Sequence, residues 1–183
     1  AAAAAIGMEQ VFAHDLQHVV AIGMGGPADT WANDDFAPIF ARARSLGLPA
    51  VSHAAEHGGP DEVCFAIEHF GAVRIQHGIG AAADPDVLAL LVDRDIACDV
   101  CPGSNLALAA VASAEDHPLP AMLAAGVTVT LGSDDPPMFQ TDLLAEYRRA
   151  WDWCGLDRDG IAALAANSLA HSFSPAHTKR FPA

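Results

Sequence analysis

The sequence predicts an α/β fold built on a single parallel sheet, and three observations carry that reading. Short β-branched runs alternate with amphipathic helical stretches in five successive units. The connections between them are mostly short, as right-handed crossovers between parallel neighbours require. The residues able to do chemistry fall just past the carboxyl ends of the predicted strands, the edge where parallel sheets bind ligands.

Val19-Val20-Ala21-Ile22 reads as the first buried strand. The helix after it sets Phe36, Ile39, Phe40 and Ala43 on one face, with Asp34 or Asp35 placed to cap it. Leu48-Pro49-Ala50-Val51-Ser52 forms the next strand and delivers His53 at its end. Pro60-Asp61-Glu62 opens a helix whose Val63, Ala66, Ile67 and Phe70 recur at helical spacing. A third strand runs through Val73-Arg74-Ile75 to His77. Asp84-Pro85, a cap followed by a first-turn proline, then starts a helix with Val87, Leu88, Leu91 and Val92 inward. Ile96 to Val100 and Val127 to Leu131 are the last two strands, separated by a helix from Pro118 to Ala125 that Gly126 closes. Helices from about Leu143 to Trp153 and from about Arg158 to Ser172 complete the pattern. Periodicity alone leaves an open doubly wound sheet and part of a barrel both standing, although recruitment of several strand ends is typical of barrels.

Composition narrows the function. With 23 acidic and 9 basic residues the formal charge is −14, which repels phosphate backbones and anionic membranes, so no nucleic-acid polymer and no membrane is expected as a partner. No apolar run approaches the ~20 residues that span a bilayer, and a cytoplasmic protein is the expectation. Ala1 to Ala5 is a low-complexity opening that carries no chemistry. Cys64, Cys98, Cys101 and Cys154 are too few and scattered for a disulfide framework. Cys98 and Cys101 form a Cys-x-x-Cys beside a strand end, and buried structural thiols are the favoured reading over a redox pair. Gly23-x-Gly25-Gly26 lacks the spacing of a dinucleotide fingerprint, since Pro27 and Ala28 follow it, and no P-loop lysine is present.

The strongest constellation joins His53-Ala54-Ala55-Glu56 at one strand end with Ser133-Asp134-Asp135-Pro136 at another. Imidazole and carboxylate together suit Zn²⁺, and Glu56, three residues beyond a ligand candidate, stands where a proton shuttle is needed. Taken singly, His53 is more often a cap or surface residue, Glu56 a solvated charge, His77 a structural histidine, and Asp134-Asp135 a turn cap. Their joint occurrence at one sheet edge raises the odds of a site.

From about Val19 to Phe173 the chain resembles adenosine and adenine deaminases. The resemblance rests on His53-Ala54-Ala55-Glu56, Arg74-Ile75-Gln76-His77-Gly78, Cys101-Pro102-Gly103-Ser104-Asn105, His117-Pro118-Leu119, Leu131-Gly132-Ser133-Asp134-Asp135-Pro136 and Asn167-Ser168 leading to Phe173, in that order. It implies an α/β TIM (β/α)8 barrel of which the chain covers roughly strands 4 to 8, so that residues 1–183 form the C-terminal part of one metal-dependent hydrolase domain. By the same resemblance His53 and Asp134 ligate one zinc ion per subunit, which brings the pKa of its water toward neutrality. His77 orients the attacking oxygen, Glu56 donates a proton to purine N1, Asp135 shares a proton at N7, and the backbone of Gly26 serves N3.

Two departures stand out. The family's other two zinc ligands form a His-x-His at the first barrel strand, and none exists here; His14 and His18 read as helix-surface residues, and the missing strands are expected upstream. The family's His-Ala-Gly-Glu and Gly-His-Gly are His-Ala-Ala-Glu and Gln-His-Gly, and Gly132-Ser133 replaces Asn-Thr, which leaves the substrate open. The expected reaction is hydrolytic deamination of a 6-aminopurine, adenosine or a close analogue. Adenine and aminodeoxyfutalosine are the runners-up within the family. A purine-binding barrel that has lost its metal is the alternative of another class.

Overall fold

The protein is described by a computed structural model over residues 2–14, 16–26 and 34–173. Pro27 and Ala28 lie outside the described residues, as does the side chain of Asp34. Five strands, β1 (Ile22–Met24), β2 (Ala50–Ala54), β3 (Ala72–His77), β4 (Ala97–Val100) and β5 (Val129–Leu131), pair in parallel in chain order. A doubly wound sheet reverses its strand order at a switch point, whereas unbroken order means that every crossover steps the same way. The sheet is therefore singly wound, an arc of a barrel.

Helices α1 (Ala2–Phe12), α2 (Ala37–Ser45), α3 (Pro60–Phe65, continued by a π turn over Ala66–Phe70), α4 (Pro85–Asp93), α5 (Pro102–Ala107), α6 (Leu119–Ala124), α7 (Pro136–Phe139), α8 (Leu143–Cys154) and α9 (Arg158–Ala170) connect and flank the strands. The core between helices and sheet holds Phe40, Phe70, Ile75, Leu91, Met122 and Leu164, with Phe40 and Phe70 stacked at 4.4 Å. Val63, Ala66, Ile67 and Phe70 are all buried, as their spacing predicts. No helix among the described residues is long and apolar enough to cross a membrane.

Several boundaries moved for identifiable reasons. The first strand starts at Ile22 rather than Val19, because β1 has one neighbour and its ladder begins at the Ile22 to Ala50 pair; Val20 is exposed. The second starts at Ala50 because the Leu48 N–H turns back to the Ala43 carbonyl at 3.0 Å, closing α2 rather than joining the sheet. The N-cap position of α2 falls on Phe36 and not on an aspartate: a 3-10 turn over Asp34–Phe36 leads in, and a first-turn proline starts the helix. Asp84 does cap α4, accepting the Asp86 N–H at 2.9 Å. Val92 is exposed rather than inward. The segments at 102–107 and 136–139, for which the sequence predicts no element, are short helices, each opened by proline. His14 and His18 are exposed but lie beyond α1 and not on a helix.

On the concave side the sheet is polar. Arg74 of β3 meets Asp99 of β4 at 2.6 Å, and Asp99 also takes a short hydrogen bond from Thr130 of β5. The same guanidinium donates to the His171 carbonyl at 2.7 Å, while Asn167 donates to the Val129 carbonyl at 3.0 Å, so the end of α9 is held to the strands by polar bonds.

Candidate active site

Three strand tips turn through backbone that favours glycine and here is occupied by other residues. Ala55 after β2 has φ +54°, His77 at the end of β3 +64° and Asp134 after β5 +52°. Left-handed non-glycine residues concentrated at strand ends are a mark of functional sites. The tips are tied together, with the Gly78 N–H donating to the Ala54 carbonyl at 2.9 Å and the Gly80 N–H to the Ala55 carbonyl at 2.8 Å.

His53, on β2, donates from Nδ1 to the Met24 carbonyl at 3.0 Å. A carbonyl only accepts, so the proton is on Nδ1 and Nε2 keeps its lone pair, the arrangement a metal-ligating imidazole needs. Asp134 accepts a hydrogen bond from the Ser104 hydroxyl at 2.5 Å on Oδ2. His77 is buried, at 2% exposure, and its ring lies 5.1 Å from that of His53. Burial pushes its pKa down, with Glu56 and Asp134 pulling up and His53 and His57 pulling down, so the neutral ring is favoured. Glu56 Oε1 stands 3.4 Å from His77 Nδ1.

Glu56, His77 and Asp134 each offer a ligand atom within 4.8 Å of one another, a donor set of oxygen and nitrogen that suits a divalent metal. His53 lies outside that set of three but lines the same cavity of about 410 Å³ as His77 and Asp134, along with Arg74, Gln76 and Asp99. Glu56 lines an adjoining cavity of about 390 Å³ with His57, Gly58 and Ile79. Asp135 and Gly26 line neither. Asp135 is exposed, and its carbonyl accepts the Met138 and Phe139 N–H groups at the start of α7. Gly26 has φ +94° beyond β1, with open space where a Cβ would point; the backbone angle, not crowding, is what calls for glycine there.

Sequence reasoning passed over the residues that hold this set in place. Asn105 donates from Nδ2 to Glu56 Oε1 and meets His77 Nδ1, both at 3.2 Å. His117 is buried, faces Asn105 Oδ1 through Nε2 at 3.4 Å, and has its pKa lowered to about 4 by burial. The fully buried Glu146 of α8 accepts the Gly103 N–H at 2.8 Å and pairs with Arg149 at 2.6 Å, anchoring α5, the short helix that carries Ser104 and Asn105. Asn105 and His117 both sit in segments that matched the family, and that was the available signal. Cys98 and Cys101 are free and buried, their thiols pushed up to about 12 by burial.

Comparison with known proteins bears on this arrangement. An aminodeoxyfutalosine deaminase of Streptomyces coelicolor is 46% identical over 161 residues, 88% of this chain and 42% of that protein. An adenine deaminase of Chelativorans sp. is 37% identical over 170 residues, 92% of this chain and 52% of that protein. The crystal structure of an adenine deaminase from Arthrobacter aurescens superposes with a TM-score of 0.88 at 33% identity, covering 97% of this chain and 54% of that one. The chain thus spans about half the length of the curated relatives it matches. The family model described as adenosine deaminase matches residues 3–181, and the chain belongs to the adenosine deaminase family.

Proposed function

We propose that the protein hydrolytically deaminates a 6-aminopurine, adenosine or a close analogue, to the 6-oxopurine and ammonia, using one zinc ion per subunit. The observation that carries the reading is the convergence of Glu56, His77 and Asp134 from separate strand tips, beside a His53 whose Nε2 is left free. His53 and Asp134 would hold the zinc, which when bound makes water a competent nucleophile near neutral pH. Neutral His77 orients the attacking oxygen and steadies the charge that builds on it. Glu56 enters protonated and donates to N1 so that C6 becomes electrophilic; as the carboxylate it then takes the proton of the oxygen added at C6 and passes it to the amine, which leaves as ammonia. Asp135 shares a proton at N7, and the Gly26 backbone serves N3.

Among the described residues the arc has two open edges, and the chain matches roughly half of each relative, which supports a reading of residues 1–183 as the C-terminal part of one barrel whose remaining strands supply further metal ligands. A cytoplasmic setting fits a metabolic purine hydrolase. Within the substrate panel, the relative at 46% identity favours a 6-aminopurine nucleoside with a modified ribose, such as aminodeoxyfutalosine, as the second reading.

Turnover by full-length, zinc-loaded protein of adenosine, adenine and aminodeoxyfutalosine tests the function, and activity on none of them refutes it. Glu56→Gln tests the assignment of roles. It should cut kcat by at least about 100-fold, the usual contribution of a general acid-base group, with zinc content unchanged. Loss of zinc in that variant would make Glu56 a ligand, as its place in the 4.8 Å cluster also allows.

A further inference from the structure

We propose that Asn105, itself oriented by His117, sets which nitrogen of His77 bears its ring proton and which oxygen of Glu56 is left for substrate, and so acts as the positioning residue of the site. The inference rests on the reading of His77 and Glu56 as the groups that act on substrate.

The chain of deduction starts at a backbone amide. The Leu119 N–H donates to His117 Nδ1 at 3.1 Å, so that nitrogen keeps its lone pair. His117 is buried and neutral, which puts its one ring proton on Nε2, the nitrogen facing Asn105 Oδ1 at 3.4 Å. That contact fixes the amide: Oδ1 turns to His117 and Nδ2 to the site. The two Nδ2 protons then go to His77 Nδ1 and Glu56 Oε1, each at 3.2 Å.

Both recipients are thereby defined. A ring nitrogen that accepts from an amide cannot also bear a proton, so neutral His77 is held as the Nε2–H tautomer. Glu56 accepts from the amide at Oε1, which leaves Oε2 as the oxygen that Asn105 does not occupy. The competing arrangement is equally concrete. With Asn105 removed, His77 is free to protonate Nδ1 and pair directly with Glu56 Oε1, 3.4 Å away.

Asn105 touches both groups and His117 touches neither, which separates the predicted effects. The test uses full-length, zinc-loaded protein labelled with ¹⁵N-histidine. Ring nitrogen shifts should report a single Nε2–H tautomer for His77, replaced by Nδ1–H or a mixture in Asn105→Leu. In the same variant kcat should fall about 100-fold, the upper range for losing a bond that orients an active group, with KM and zinc content held. Since Asn105→Leu alters a buried position, His117 supplies a second pair. His117→Met should lower kcat about 10-fold, and His117→Gln, whose amide donates from the place of Nε2, should recover most of it.

Retention of the Nε2–H tautomer in Asn105→Leu would overturn the proposal. So would His117→Gln no better than His117→Met, or zinc loss in step with kcat. The tautomer readout needs no turnover, so it decides the relay even if the unaltered protein proves inactive on every purine offered.

Discussion

At Ala55 a departure from the family's motif falls on a strained backbone. Its φ of +54° costs an L-residue roughly 1–2 kcal/mol relative to glycine, the residue the family usually carries there. Glycine would relieve that strain. It would also give back about 0.4–1 kcal/mol in unfolded-state entropy and about 0.8 kcal/mol for the lost buried methyl. The terms nearly cancel, so Ala55→Gly should shift stability by no more than about 1 kcal/mol in a urea titration. Ala55→Val is a different matter: Ala55 is fully buried, and a branched side chain adds crowding to a conformation it disfavours. A loss of about 3 kcal/mol or more is expected. The catalytic candidates themselves were legible because each lies in a motif at a strand end. Asn105 and His117 were not assigned roles, because an amide and a neutral imidazole announce function only through what they touch.

Among the elements, the junction of α5 with α8 decides how accurately the site is held. A Cβ on Gly103 would sit 2.6 Å from Glu146 Oε1 and 3.0 Å from Arg149 Nη1, so α5 approaches the buried carboxylate as closely as glycine alone allows. Gly103→Ala should therefore cost about 2 kcal/mol, since backbone, carboxylate or guanidinium must yield. Glu146→Ala should cost more, about 3 kcal/mol, because it orphans the Gly103 N–H; Arg149, 30% exposed, can turn to water and keeps the loss from being larger. Chemical denaturation of each variant checks the order. The long helices and inner strands were readable from their apolar spacing and caps. Short α5 and α7 were not, since a run of four to six residues has too few turns to show a period. Edge strand β1 was misplaced because its limits are set by a partner elsewhere in the chain.

Among the described residues the sheet is an arc with free edges at β1 and β5 and a polar concave wall. Edges of three residues each at β1 and β5 offer little to pair with, and a charge of −14 keeps copies apart at low salt. Raising salt from 0.1 M to 1 M shortens the screening length from about 10 Å to about 3 Å, which removes the repulsion and leaves the exposed edges and wall. The isolated 183-residue chain should accordingly self-associate increasingly with salt in sedimentation velocity, and should be inactive; a monodisperse monomer at high salt would contradict this. Barrel or doubly wound sheet was the global question that periodicity left open, because strand order is a property of contacts between distant segments and has no local signature.

Arg74 gives this architecture an unusual keystone. One guanidinium spans β3, β4 and the carbonyl that ends α9, so this helix is moored to the inner wall by a directional cation and not by oily contact alone. A mooring of that kind fixes rotation as well as distance. Helix α9 is thereby indexed against the strands whose tips carry the candidate site, as a key is indexed in its slot.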